Sequence, residues 1–201
     1  LFSNTTIESY GDRYSSLNLF INNSQVKNYY NSGFLWLYSL NVFLDNVVIT
    51  DNINYWSEPS GFIMLDDGTY ARFNHVTFAN NEITTPEGIS GEDNSFCLIN
   101  IGHTSPNFSS RPNQLTILNS IIWNGIGNEI LVRPSYNPEE FFIPPIILID
   151  HSNFFGGSDN IGTIDFENLG DEHPAFAPVV SWNHENLIWG ENNIVSDPLF
   201  N

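Results

Sequence analysis

One short pattern returns five times along the chain: an apolar run, an Asn or Asp, then an apolar or aromatic residue four positions on. It reads Leu17-Asn-Leu-Phe-Ile-Asn-Asn-Ser-Gln-Val-Lys-Asn28 and Leu40-Asn-Val-Phe-Leu-Asp-Asn-Val-Val-Ile-Thr-Asp51. It returns in Arg72-Phe-Asn-His-Val-Thr-Phe-Ala-Asn-Asn81, in Ile117-Leu-Asn-Ser-Ile-Ile-Trp-Asn124 and in Leu148-Ile-Asp-His-Ser-Asn-Phe-Phe155. The polar positions are Asn22, Asp45, Asn74, Asn119 and Asp150, followed by Val26, Ile49, Phe78, Trp123 and Phe154. A second motif interleaves with the first: Ser32-Gly33-Phe34-Leu35-Trp36-Leu37 matches Ser60-Gly61-Phe62-Ile63-Met64-Leu65.

Repeats rich in Val, Ile, Phe and Tyr, punctuated by Asn, Asp and Gly, specify strands and turns rather than helices. Each strand's nearest relative lies a full repeat away, not across a tight hairpin turn. Strands stacked on their own repeats form parallel sheets. The expected fold is therefore all-β: a right-handed parallel β-helix, a solenoid with long loops between coils. The unequal spacing requires insertions at the turns, because extra residues can loop out while strands keep register. One β-helix segment is expected over 1–201, with loop insertions at about 82–115, 134–145 and 156–190. Within the first, Phe96 to Ile101 can add a strand. The start at Leu1 without Met and the abrupt end at Asn201 suggest a piece of a longer chain.

Asn and Asp tolerate the left-handed backbone region and hydrogen-bond neighbouring backbone. Stacked amides can also bond along an axis. Asn22, Asp45, Asn74, Asn119 and Asp150 are accordingly expected as turn and ladder residues.

These motifs resemble the parallel β-helix repeats of secreted and cell-surface bacterial proteins. Ser60-Gly-Phe-Ile-Met-Leu-Asp-Asp-Gly68 and Phe78-Ala-Asn-Asn81 are similar to the Gly-Gly-Ile and Phe-x-x-Asn repeats of polymorphic outer-membrane proteins. Gly190-Glu-Asn-Asn-Ile-Val-Ser-Asp-Pro-Leu-Phe200 resembles the Gly-x-Asn-Ile-x-x-Asp-Pro-Leu-Phe ending of such domains. The resemblance implies an extracellular or cell-surface location. It implies no activity, because this scaffold hosts lyases, hydrolases and adhesins alike.

Charge narrows the partners. Five Lys+Arg against 23 Asp+Glu give a formal charge of −18, which repels nucleic acid. Beyond Gly125 the only basic residue is Arg133. No apolar run is long enough for a transmembrane helix. The single cysteine, Cys97, cannot form an internal disulfide, and its apolar neighbours mark it as a core residue.

No residue set is assigned as catalytic. Asp66-Asp67-Gly68 reads either as a turn or as a carboxylate pair acting on a sugar or holding calcium. No cofactor is required; calcium is the possible cation. His75, His103, His151, His173 and His184 form no metal-binding spacing. The aromatics Tyr55, Trp56, Tyr136, Trp182 and Trp189 can stack on sugars or cap the core beneath loops. The function expected is non-enzymatic: adhesion, or a cell-surface or filament structural element, with other copies, surface proteins or polysaccharide as partners. The alternatives are a carbohydrate-active β-helix enzyme and a carbohydrate-binding module.

Overall fold

The computed structural model describes residues 7–10, 17–31, 34–55, 61–84, 97–102, 104, 109–125, 128–133, 143–163 and 184–199. The strands come in successive coils. The first holds β1 (Ile7–Tyr10), β2 (Asn18–Lys27) and β3 (Tyr30–Asn31). The second holds β4 (Leu35–Tyr38), β5 (Asn41–Thr50) and β6 (Ile53–Tyr55), and the third β7 (Ile63–Asp66), β8 (Tyr70–Ala79) and β9 (Glu82–Thr84). The fourth holds β10 (Ile99–Gly102), β11 (Gln114–Leu118) and β12 (Ile121–Trp123). The fifth holds β13 (Ile130–Arg133), β14 (Ile146–Asp150) and β15 (Asn153–Phe154). Then come β16 (Ile161–Thr163) and β17 (Leu187–Trp189).

Every one of these strands pairs in parallel with a strand of an adjacent coil. One sheet runs β1-β4-β7-β10-β13-β16. A second joins β2, β5 and β8, then β11, β14 and β17 on one half of β8 and β12 and β15 on the other. A third is β3-β6-β9. This is the pairing of an all-β parallel solenoid. Among the described residues no helix is long and apolar enough to cross a membrane.

The alternation of each strand explains the core. Leu35, Ile63, Ile99, Ile130 and Ile161 stand in one row, in register from coil to coil. Leu44, Phe73, Ile117 and Ile149 form another. All are buried. Phe34 stacks on Phe62 at 5.5 Å, and Tyr29 meets both rings edge-on. Burial of such rows, at roughly 25 cal/mol per Å² of apolar surface, is the main force holding coil on coil.

Register corrects the sequence alignment in the fourth coil. Leu118, not Asn119, stands level with Asn74 and Asp150. Ile122, not Trp123, continues the buried row of Val26, Ile49, Phe78 and Phe154. Trp123 sits level with Ala79 and packs edge-on against Phe155 at 5.1 Å.

The left-handed bend is displaced for the same reason. Positive φ falls at Asn23, Asn46, His75, Asn119 and His151. Asn22, Asp45, Asn74 and Asp150 stay extended within their strands, so the residue after each takes the bend. Asn119 alone, of the five polar positions, adopts it.

The spans 82–115 and 156–190 are not uniform insertions. The first contains β9, β10 and the start of β11; the second contains β16 and β17. In the span 134–145, residues 134–142 lie outside the described set, and Ile143 makes an antiparallel bridge to Thr104.

Candidate functional site

Polar side chains fall into ladders along the stack. The outermost follows the expected row only in part. Asn74 Nδ2 donates to Asp45 Oδ1 at 2.7 Å, and Asn119 Nδ2 donates to Asn74 Oδ1 at 2.9 Å. Asn46 Nδ2 donates to Asn23 Oδ1 at 2.7 Å, so the first coil joins through Asn23 rather than Asn22. Asn22 contributes its backbone carbonyl, which accepts from Ser24 Oγ at 2.8 Å. Asp150 turns to its neighbour instead: Oδ1 accepts the His151 N–H at 2.9 Å, and Oδ2 lies 3.0 Å from His151 Nδ1. A parallel stack holds equivalent residues one strand spacing apart, which is why such short amides can reach.

A second ladder is buried at Asn52, Asn81 and Glu129 and half-buried at Asn124. Asn52 Nδ2 donates to Asn81 Oδ1 at 2.8 Å, and Asn81 Nδ2 donates to Asn124 Oδ1 at 2.7 Å. Asn124 Nδ2 donates to Glu129 Oε2 at 2.7 Å, and the Asn124 N–H to Glu129 Oε1 at 2.7 Å. The Gly125 N–H also reaches Oε1, at 3.3 Å. Burial pushes the Glu129 carboxyl up to about 7, against the pull of these three donors. From rung to rung the amides donate toward Glu129, the terminal acceptor, while each Nδ2 also donates back to a carbonyl of the preceding coil, of Val26, Ile49 and Phe78. Asn81 is the asparagine of the Phe-x-x-Asn motif, and Asn52 stands at the same distance after Ile49. Sequence reasoning singled out neither Asn52, Asn124 nor Glu129. The signal available was an Asn following the buried row at a nearly fixed distance.

A third ladder closes the other bend. Ser120 Oγ accepts the Val76 N–H at 3.0 Å, and Ser152 Oγ accepts the Ser120 N–H at 3.2 Å. Asn193 Oδ1 accepts the Ser152 N–H at 3.0 Å, while its Nδ2 donates to the Ile149 carbonyl at 2.8 Å. Both hydroxyls donate back into carbonyls, of Leu118 and Asp150. The Gly190 ending thus has a structural use. Asn193 finishes the ladder, and Gly190 sits where any side chain would collide with the Asp150 carboxylate.

Asp66 and Asp67 form a turn with a carboxylate already engaged. Asp66 is ion-paired with Arg133, both side chains 14% exposed. Gly102 lies beneath the pair, and a Cβ there would collide with Asp66 and meet Arg133 Nη2 at 2.9 Å. The glycine rung lets the two charges span from β7 to β13. Asp67 takes positive φ, donates its N–H to Asp66 Oδ1 at 3.1 Å, and accepts at its carbonyl from Ser39 Oγ at 2.6 Å. Burial first, then the neighbouring Asp66, pushes its carboxyl up to about 6, partly offset by Arg133. With Asp66 committed to a guanidinium, the pair does not offer two free carboxylates to calcium. Among the described residues no three His, Cys, Asp or Glu side chains group as metal ligands.

Of the expected contact aromatics, Trp56, Tyr136 and Trp182 lie outside the described residues. Tyr55 ends β6, level with Thr84. Trp189 ends β17 and packs edge-on against buried Phe154 at 5.8 Å, half covered by the core. Cys97 is buried, and burial pushes its thiol up to about 12, which leaves no thiolate for nucleophilic chemistry at neutral pH. Comparison with protein families, curated proteins and solved structures finds no match to this chain.

Proposed function

We propose that the chain is a segment of a right-handed parallel β-helix, extracellular or on a cell surface, acting in adhesion or as a structural element rather than in catalysis. The observation that carries this reading is how the reactive groups are used. Asp66 is spent on Arg133, Glu129 ends a buried amide ladder, Ser120 and Ser152 bond into backbone, and Cys97 is inert in the core. These groups serve coil stacking. The right hand is supported by the general rule that parallel crossover connections are right-handed in about 98% of cases. A surface role is supported by the likeness to surface-protein repeats and by the acidic charge, which favours solubility.

One observation favours a second reading, a carbohydrate-active enzyme. Asp66 is ion-paired while its neighbour Asp67 is pushed up to about 6, and unlike carboxylate environments are what acid–base glycoside cleavage uses. Incubation of the purified chain with a panel of neutral and acidic polysaccharides, read by reducing ends and by ultraviolet absorbance of unsaturated products, separates the two. No turnover is expected. Turnover abolished by Asp66→Ala would establish the enzyme instead.

A further inference from the structure

An aromatic strip lies on the outward face of the sheet containing β2, β5 and β8. Phe20 and Phe43 are level in register, and their rings stack at 4.9 Å and 14°. Tyr70 extends the strip, 6.0 Å from Phe43. Phe20 is 61% exposed, and Phe43 and Tyr70 are half-buried. Arg72 stands level with Phe43 on the neighbouring strand and is exposed. Arg111 reaches the same face, where its Nη1 donates to Asn41 Oδ1 at 3.1 Å. Asn41 Nδ2 in turn donates to Asn18 Oδ1 at 2.9 Å. Gly68, at φ +81, makes room for this arm, since a Cβ there would meet Arg111 Cγ at 3.0 Å and collide with Ser109.

Charge says what the strip fits. Lys27 pairs with Asp51 at 3.0 Å and Arg133 pairs with Asp66. Among the described residues, Arg72 and Arg111 have no carboxylate partner, in a chain with 23 acidic residues. Two guanidiniums with no carboxylate partner among the described residues, beside stacked rings and amides, suit a ligand with flat apolar faces, hydroxyls and a carboxylate.

We infer that this strip binds an extended glycan in which uronic acids alternate with neutral sugars. Sugar faces lie on Phe20, Phe43 and Tyr70, and a carboxylate is held by Arg72 and Arg111. The net charge of −18 sets the low charge density. Screening over about 8 Å at physiological salt leaves the two arginines dominant locally, while a dense polyanion is repelled. The inference rests on the adhesive reading and names its ligand.

The test is calorimetric titration of the whole chain with two probes. One is a hexasaccharide of alternating glucuronic acid and N-acetylglucosamine; the other is the neutral hexamer of N-acetylglucosamine. The acidic probe is expected to bind at least about tenfold tighter. The double substitution Arg72→Ala with Arg111→Ala erases that preference, and Phe43→Ala weakens both probes by about tenfold, with Phe20→Ala as a milder second variant. Circular dichroism confirms that each variant stays folded. Equal affinity for the two probes, absence of binding, or binding unchanged in Phe43→Ala overturns the inference. So does a concentration-dependent dimer lost in the same variants, which would give the strip to a second copy. Failure of binding leaves the non-enzymatic reading standing, because that reading falls only on turnover.

Discussion

The side-chain amide of Asn124 donates to Glu129 at 2.7 Å, and the same residue's backbone N–H donates to the other carboxylate oxygen at 2.7 Å. A carboxylate thus terminates a file of asparagines that starts at Asn52.

Glu129 makes stability depend on pH. Its folded-state value, about 7, lies above the ordinary 4.5, so the folded chain holds the proton more tightly than the unfolded chain. The extra stability is fully present below pH 4.5 and is lost as pH rises to about 7. The loss is at most about 3 kcal/mol. Asp67 acts in the same direction between 3.8 and about 6. Urea unfolding from pH 5 to pH 8 is expected to show falling stability in the parent and a flatter profile in Glu129→Gln.

Removing a middle rung tests the ladder. Asn81 both donates to and accepts from its neighbours and is 1% exposed. Asn81→Ala removes the acceptor of the buried Asn52 N–H and Nδ2 and the donor to the Ile49 carbonyl and Asn124 Oδ1, and is expected to cost about 2–4 kcal/mol in chemical denaturation. Asn22→Ala, at an exposed position outside the amide file, is expected to cost under about 0.5 kcal/mol.

The displaced bend can be tested with glycine. His75 has φ 53, so His75→Gly relieves the left-handed cost and is expected to be neutral or to stabilise by up to about 1 kcal/mol. Asn74 is extended and bonded to Asp45 and Asn119, so Asn74→Gly is expected to destabilise by about 1–2 kcal/mol. The opposite order would return the bend to Asn74.

Gly102→Ala places a methyl against the Asp66–Arg133 pair. Loss of about 2 kcal/mol or more in thermal unfolding is expected, because a half-buried pair cannot separate without leaving a charge uncompensated.

Much of this architecture was legible in the sequence. Five copies of an alternating pattern could stack only as parallel strands, and β2, β5 and β8 do so level with one another. The slip at Asn119 has a plain cause. Asn occurs both in the row and at the bend, so aligning polar letters cannot tell Leu118 from Asn119. The strand at β10 was legible from the apolar run Phe96 to Ile101, whereas β9, β16 and β17, which also fall in the expected insertion spans, are short and lack the Asn/Asp signature. The Asp66–Arg133 pair was not legible, since its partners are 67 residues apart and the rung between them is a glycine. Glu129 was hidden likewise. Nothing in the sequence distinguishes a solvated acid from one receiving an amide file.

The most direct measurement is a crystal structure of this chain, read for strand pairing between β2, β5 and β8. Parallel pairing is expected, with Phe43 level with both Phe20 and Arg72, Asn52, Asn81 and Asn124 in one file, and right-handed coils. Antiparallel hairpins between successive strands, or asparagines dispersed to solvent, would contradict it.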